Sequence, residues 1–158
     1  MKFVLEKAQP NGSGTLVYRP ESFAFDVLPR PSNAVGSVLV NDLELEVDHG
    51  GTVLCVTGLC PHPGWQPTDF PPPLARPGVL RVSSTSDWVP GISKRLTAPY
   101  AWPMSVNRNV GYVCVGNARA HGANLECAPG CIAVVDSETL VALWLRPTQL
   151  PPEHDPSP

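Results

Sequence analysis

A small set of cysteines and histidines contains the residues of this chain that are best suited to chemistry. Cys60 and His62 lie two positions apart, and three residues separate Cys127 from Cys131. Zinc would accept these four sulfur and nitrogen ligands if the two segments met in space. The spacing is not that of a standard zinc finger or ribbon. The sequence therefore favours reduced, structural thiols and predicts no metal site and no cofactor.

The same residues include two pairs that could supply a thiol nucleophile and its base. These pairs are Cys60 with His62, and Cys127 with His121. Neither cysteine begins a recognisable helix, where a thiol pKa would be lowered. The chain has no Gly-x-Ser-x-Gly elbow, and the glycines at 12–14 lack the lysine and helix of a phosphate loop. Enzymatic activity stays open, and the sequence favours a protein that is not an enzyme.

Four carboxylates fall within seven residues, at Asp42, Glu44, Glu46 and Asp48. They alternate with apolar residues, so a β-strand would carry all four on one outward face. One interpretation is a solvated strand surface that discourages pairing between sheet edges. The other is a docking stripe for a basic protein, whose association an acidic field would accelerate. Under the second interpretation these four residues bind the partner.

A long segment, 61–77, is rich in proline and shows no periodic pattern of apolar residues. Such a long loop inside a compact domain usually has a function. Its His62, Asp69 and Arg76 are candidate residues for binding a small molecule.

Aromatic residues are concentrated in and after this loop, at Trp65, Trp88, Tyr100 and Trp102. They would either cap the open end of a barrel and complete its core, or form a contact surface, where tryptophan and tyrosine are enriched. Under the second interpretation the three tryptophans join the acidic residues as partner-binding residues.

The elements that position these residues are predicted to be β-strands, because apolar residues mostly recur every two positions. Residues 43–48 and 52–57 flank a His-Gly-Gly turn and predict a hairpin. A second hairpin is predicted over 131–145, and its arms are apolar on both faces, as is the strand at 110–115. Weaker strands are predicted at 3–6, 15–18, 23–28, 37–40 and 79–83. The one stretch that suits a helix is short, at 93–98.

Composition excludes several classes of function. The chain has 158 residues, a net charge of −3 and no basic patch, which argues against nucleic-acid binding. No apolar stretch approaches the ~20 residues of a membrane span. Charges at Lys2 and Glu6 flank a short apolar run and predict no signal peptide. With an odd number of cysteines, this predicts a cytoplasmic protein, and the preference for arginine over lysine indicates a bacterial one.

The predicted fold class is mainly β, as a single-domain antiparallel β-sandwich or small β-barrel with long Pro- and aromatic-rich loops. The domain would span 1–147, and a Pro-rich flexible tail would span 148–158. The expected function is a non-enzymatic protein-binding or accessory domain, such as an immunity-type inhibitor of a basic partner. The alternative is a small-molecule-binding barrel or enzyme with its site under the 61–77 loop. The sequence predicts no particular oligomeric state.

Overall fold

The computed structural model describes residues 1–9, 13–84, 86–96 and 101–153 of the chain. Within them the strands are β1 (Lys2–Glu6), β2 (Thr15–Arg19), β3 (Ala24–Leu28), β4 (Gly36–Val40), β5 (Leu43–Val47), β6 (Val53–Leu59), β7 (Gln66–Pro67), β8 (Val79–Ser83), β9 (Ser93–Arg95), β10 (Met104–Asn107), β11 (Tyr112–Gly116), β12 (Ala123–Ala128), β13 (Cys131–Asp136) and β14 (Thr139–Leu145). A short 3₁₀ turn spans His62–Gly64. The mainly β fold class is confirmed.

The described strands form three open sheets. One six-stranded sheet has the order β2-β3-β6-β5-β4-β9, the other has the order β12-β13-β14-β11-β10-β7, and β1 pairs with β8. The pairs among these strands are antiparallel except β4–β9 and β7–β10, which are short and parallel. Since neither large sheet closes on itself, the barrel alternative is excluded for the described part of the chain.

The first predicted hairpin is present as β5 and β6. Leu43, Leu45 and Val47 of β5 are buried, and the intervening glutamates are only partly covered. The connecting turn is held by Asp48, whose Oδ1 accepts hydrogen bonds from the backbone N–H groups of Gly50 and Thr52, both at 2.9 Å. Local alternation and turn chemistry therefore set this hairpin, as the sequence predicts.

The second predicted hairpin is β13 and β14, joined at Ser137 and Glu138. Both residues have positive φ, 48° and 66°, as a tight two-residue hairpin turn requires. The strands are covered on both faces, which confirms the prediction from their continuous apolar pattern. One face joins the main core, and the other carries a second cluster that includes Ile132 and Trp144.

A single main core joins all three sheets. It contains Phe3 from β1, Phe25 from β3, Leu80 from β8, Val113 from β11 and Leu143 from β14. Burying each such side chain contributes about 1.5–3 kcal/mol to folding. The core is assembled from strands far apart in sequence, so it also fixes how the loops at the sheet ends approach one another.

Several elements differ from the sequence prediction. The short helix at 93–98 is wrong, because Ser93–Arg95 pairs with β4, and the Ser93 and Ser37 hydroxyls lie 2.6 Å apart. A helix of six residues has too few hydrogen bonds to compete with such pairing. Strands β7, β10 and β12 were not predicted, and the 61–77 loop contains β7 and a 3₁₀ turn. Residues 97 and 98 of the predicted helix, and Tyr100, lie outside the described residues.

The segment after β14 contacts the domain where it is described. The Thr148 N–H donates to the Leu16 carbonyl at 3.0 Å, and Leu150 packs against the main core. Residues 154–158 of the predicted tail lie outside the described residues. No helix in the described part of the chain has the length and apolar character needed to span a membrane.

Candidate functional site

A cavity of about 490 Å³ lies beneath the first half of the 61–77 loop. The charged and titratable side chains in its wall are His62, Asp69, Arg108 and Glu153. Trp65, Thr68, Val106 and Asn109 complete much of the remaining wall. We call this space the loop cavity. Its volume lies within the roughly 300–1,000 Å³ that is usual for small-molecule sites.

The loop keeps its shape because it is tied to β10. Gln66 and Pro67 run parallel to β10, and the Thr68 N–H donates to the Val106 carbonyl at 3.0 Å. The buried Asn107 amide donates to the Phe70 carbonyl at 3.0 Å. These hydrogen bonds place residues 68–70 beside the β10–β11 connection, which brings Asp69 and Arg108 to one cavity.

His62 is held by the hydroxyl of Tyr18. The Tyr18 Oη donates to the Cys60 carbonyl at 2.8 Å, accepts from the His62 backbone N–H at 3.1 Å and lies 3.3 Å from His62 Nδ1. Since the one hydroxyl proton goes to Cys60, we assign the proton of this last contact to Nδ1. A neutral His62 then carries its unprotonated nitrogen at Nε2. Burial raises the pKa of Tyr18 to about 12, so the hydroxyl remains protonated at neutral pH.

Arg108 is the cation that the sequence did not indicate. Its Nη1 donates to the Pro151 carbonyl at 2.8 Å, and its Nε lies 3.5 Å from the exposed Glu153 carboxylate. The predicted Arg76 is not part of the cavity wall, although its backbone carbonyl accepts from Glu126 N–H at 2.9 Å. Of the three predicted ligand-binding residues, His62 and Asp69 line this cavity and Arg76 does not, and the arginine in the wall is Arg108. The β7–β10 pairing brings Arg108 beside the 61–77 loop, and the sequence carries no local sign of this pairing because the two strands are distant in the chain.

Two of the three tryptophans predicted at a contact surface belong to the core. Trp65 is 7% exposed and Trp102 is 4% exposed, and both pack in the main cluster. Trp88 is partly buried, and the Lys94 Nζ lies 4.4 Å from the centroid of its ring. For Trp65 and Trp102 the core-completing interpretation therefore fits the structure better than the contact-surface interpretation.

Trp102 is held in place by Asn41, the first of the two residues between β4 and β5. The Asn41 Nδ2 donates to the Trp102 carbonyl at 3.0 Å, and the Trp102 N–H donates to Asn41 Oδ1 at 2.9 Å. Asn41 has φ 53°, a left-handed conformation that asparagine tolerates. A turn in one sheet thereby fixes the tryptophan that packs on Gly116 of the other.

The four acidic residues lie on one face of β5 and its turns, but several already have partners. Asp42 lies 3.9 Å from Arg95, and Asp48 holds the β5–β6 turn. Glu46 accepts from Thr57 Oγ1 at 2.9 Å and lies 3.4 Å from Arg30 Nη2. Since β5 lies inside its sheet, these acids do not protect a sheet edge. The arginines also reduce the acidic field that a basic partner would meet.

This arrangement predicts that the two glutamates differ in their effect on stability. Glu46→Ala removes the acceptor of the buried Thr57 hydroxyl, and we expect a loss of about 1–3 kcal/mol. Glu44→Ala on the same strand is the matched control and should cost less than about 0.5 kcal/mol beyond the shared change in strand propensity. Urea unfolding of both variants measures the difference. Equal losses would contradict a structural role for Glu46.

All five cysteines are buried and unpaired. The Cys60 Sγ lies 3.2 Å from Met104 Sδ, and the Cys127 Sγ lies 3.7 Å from the Cys131 carbonyl. Burial raises the pKa values of Cys55, Cys60 and Cys114 to about 12, and the adjacent Cys127 thiol and burial raise the pKa of Cys131. The thiols of Cys55, Cys60, Cys114 and Cys131 are therefore protonated at neutral pH, which is unfavourable for a nucleophile.

Cys60, His62, Cys127 and Cys131, which the sequence offers as zinc ligands, do not form a metal-binding group in the structure. All four residues are described, and the described part of the chain brings no three His, Cys, Asp or Glu side chains into a metal-binding group. Cys127 and Cys131 are neighbours in one hairpin, whereas Cys60 and His62 belong to the 61–77 loop region. His121 is exposed and Cys127 is buried, which also disfavours that nucleophile–base pair.

Comparisons of this chain with models of protein families, with curated proteins and with solved structures found no match.

Proposed function

We propose that this domain binds a small zwitterionic molecule in the loop cavity. The observation that carries the proposal is that His62, Asp69 and Arg108 line one cavity of about 490 Å³. They reach it from two segments that only the tertiary structure joins. A pocket with a few convergent polar groups is the usual form of a small-molecule site.

The charges in the wall indicate the class of ligand. The guanidinium of Arg108 offers donors to a carboxylate or another anionic group, and the imidazole of His62 lines the same wall. Asp69 and Glu153 offer acceptors to an ammonium group, and no ion pair among the described residues involves Asp69. Both signs of charge in a single cavity suit a ligand that also carries both, such as a free amino acid.

We propose binding rather than chemical conversion. The nearest thiol to His62 in sequence, Cys60, is held protonated by burial, and its Sγ contacts Met104 rather than a base. The His62 Nδ1 is engaged with the Tyr18 hydroxyl. These contacts orient the ring and favour a role for His62 in holding a ligand.

The hypothesis of a protein-binding or immunity-type domain stays a prediction. The acidic stripe on β5 and the partly buried Trp88 are the features that support it. The burial of Trp65 and Trp102 and the ion pairs of Asp42 and Glu46 weaken it. Cytoplasmic location likewise stays a prediction from the sequence.

The proposal is tested by titrating ¹⁵N-labelled protein with free amino acids and following the backbone amide signals. We expect selective shifts at residues 62–69 and 106–109. N-acetylated amino acids lack the ammonium group and amino acid amides lack the carboxylate, so both should bind more weakly. Failure of every amino acid to shift these amides would overturn the proposal, as would binding of either blocked form as tightly as the free amino acid.

The Asp69→Asn variant tests the contribution of the carboxylate. Because Asp69 is exposed, we expect the variant to fold normally and to bind the zwitterion about tenfold more weakly, as the loss of one charge-assisted hydrogen bond implies. Asp87→Asn is the matched control, since Asp87 is also an exposed loop aspartate but lies outside the cavity. Similar affinities of the two variants, measured in the same titration, would remove Asp69 from the site.

A further inference from the structure

A second cavity, of about 560 Å³, lies at the other end of the β10–β11 pair. Its apolar wall includes Trp102, Leu140 and Val141, and its polar rim includes Arg119, His121 and Asp136. We call it the Trp102 cavity. The lining does not include any residue of the loop cavity, so the two are separate spaces.

The apolar wall depends on Gly116, the last residue of β11. Gly116 has φ 112°, and a Cβ at this position would stand 2.7 Å from Trp102 Cε3 and 2.6 Å from the Val141 carbonyl oxygen. Side chains are therefore excluded here both by conformation and by space. The Gly116 N–H also donates to the Pro103 carbonyl at 2.8 Å. The close approach of Gly116 to the indole and the hydrogen bonds of Asn41 with the Trp102 backbone therefore fix the position of this wall in the protein without a ligand.

Arg119 is positioned at the rim without a carboxylate partner. Its backbone N–H donates to Asn117 Oδ1 at 3.0 Å, and its guanidinium carbon lies 4.7 Å from the centroid of the Phe70 ring. No carboxylate of the described residues forms an ion pair with it within 4.0 Å. The Phe70 ring contacts the guanidinium, and its bidentate donors are available to a carboxylate.

From this geometry we propose that the Trp102 cavity binds an apolar carboxylate, with its hydrocarbon body against Trp102, Leu140 and Val141 and its carboxylate on Arg119. His121 at the rim offers a second nitrogen donor. Among the described residues, Asp136 is the one carboxylate in the wall, and Ser137 Oγ donates to it at 3.2 Å. This inference is independent of the proposed function, because it concerns other residues and another class of ligand.

Titration of the ¹⁵N-labelled protein with 1-naphthoate tests the inference. We expect the amide signals of residues 116–121 and 139–141 to shift, and those of residues 62–69 to stay in place. The uncharged analogue 1-naphthalenemethanol should bind about tenfold more weakly, because it cannot form the charge-assisted pair with Arg119. Shifts only in the loop cavity, no shifts at all, or equal affinity of the two probes would each overturn the inference.

Two charge variants with opposite expected effects sharpen the test. Arg119→Gln should weaken 1-naphthoate binding about tenfold, whereas Asp136→Asn should strengthen it by removing repulsion. The matched control is Arg146→Gln, since Arg146 is also exposed and lies 5.6 Å from the Tyr112 ring centroid, but outside this cavity. If Arg119→Gln and Arg146→Gln change the affinity equally, or if Asp136→Asn weakens binding, the inference is wrong. Thr139→Phe should obstruct the cavity and abolish binding of both probes.

Discussion

Raising the pH from about 9 to about 11 is expected to unfold this domain, because its buried thiols can release their protons only in the unfolded chain. Cys55, Cys60 and Cys114 have pKa values raised to about 12 by burial, against 9.0 for an unperturbed thiol. The pKa of Cys131 is also raised well above 9.0 by its Cys127 neighbour and by burial.

The sign follows from proton linkage. Below about pH 9 both states carry these protons, and the stability contribution of the buried thiols is complete. Between about pH 9 and 12 the unfolded chain loses protons that the folded chain retains, and each thiol then lowers the free energy of unfolding by about 1.4 kcal/mol per pH unit. The three thiols whose pKa values lie at about 12 together give a slope of roughly 4 kcal/mol per pH unit, against a total stability of about 5–15 kcal/mol for a typical domain. Cys131 acts in the same direction.

Urea unfolding at a series of pH values, with reductant present, measures this slope. The matched variant is Cys114→Ala, because Cys114 is fully buried in the second cluster and its thiol makes a long contact of 3.9 Å with the Gly116 carbonyl. This variant should be less stable at neutral pH. Above about pH 9 its free energy of unfolding should fall less steeply than that of the parent, by about 1.4 kcal/mol per pH unit, because one titrating thiol is missing. A stability that stays constant up to about pH 11, or an unchanged slope in the variant, would refute the expectation.

The second large effect is expected from truncating Trp102. We expect Trp102→Ala to destabilise the fold by about 3–5 kcal/mol, as cavity formation by loss of a buried aromatic side chain does. The indole packs in the main core and on Gly116, so its removal leaves space that the rigid sheet ends cannot fill. The two hydrogen bonds between the Asn41 side chain and residue 102 involve the backbone of Trp102, so they remain possible in the variant.

Trp88→Ala serves as the comparison, because Trp88 is partly buried at the margin of the same core. We expect it to cost roughly 1–2 kcal/mol, within the range of ordinary point changes. Thermal and urea unfolding of both variants decide the matter. If Trp102→Ala is no more damaging than Trp88→Ala, then Trp102 does not complete the core, and its predicted role at a contact surface becomes the better explanation.

The parts of the fold that could be predicted are those with local causes. The alternation of Leu43, Leu45 and Val47 defines β5 because every second side chain of a strand points to the same face. The continuous apolar runs of β13 and β14 indicate strands covered on both faces, and the second cluster around Trp144 covers them. The chain between β9 and β10 could not be treated in this way, because proline and aromatic residues there carry no period.

The candidate site was only half predictable. His62 and Asp69 belong to one loop, so their presence in the same cavity follows from a loop that folds over the protein surface. Arg108 lies at the loop cavity because β7 pairs with β10, and Trp102 lies at its cavity because Asn41 binds the Trp102 backbone. Neither contact has a local signal in the sequence. The acidic stripe shows the converse case. The position of these acidic residues on β5 follows from the local sequence pattern, but their ion pairs with Arg30 and Arg95 depend on the tertiary structure.

The sequence by itself determined the β class, the main hairpins and the residues that are buried within them, because these follow from side-chain periodicity and turn chemistry over a few positions. Only the tertiary structure decided which loops share a cavity, which carboxylates already have cationic partners and which tryptophans belong to the core. The physical reason is that these outcomes depend on contacts between strands far apart in the chain. Sheet register and packing create such contacts, and no short window of sequence encodes them.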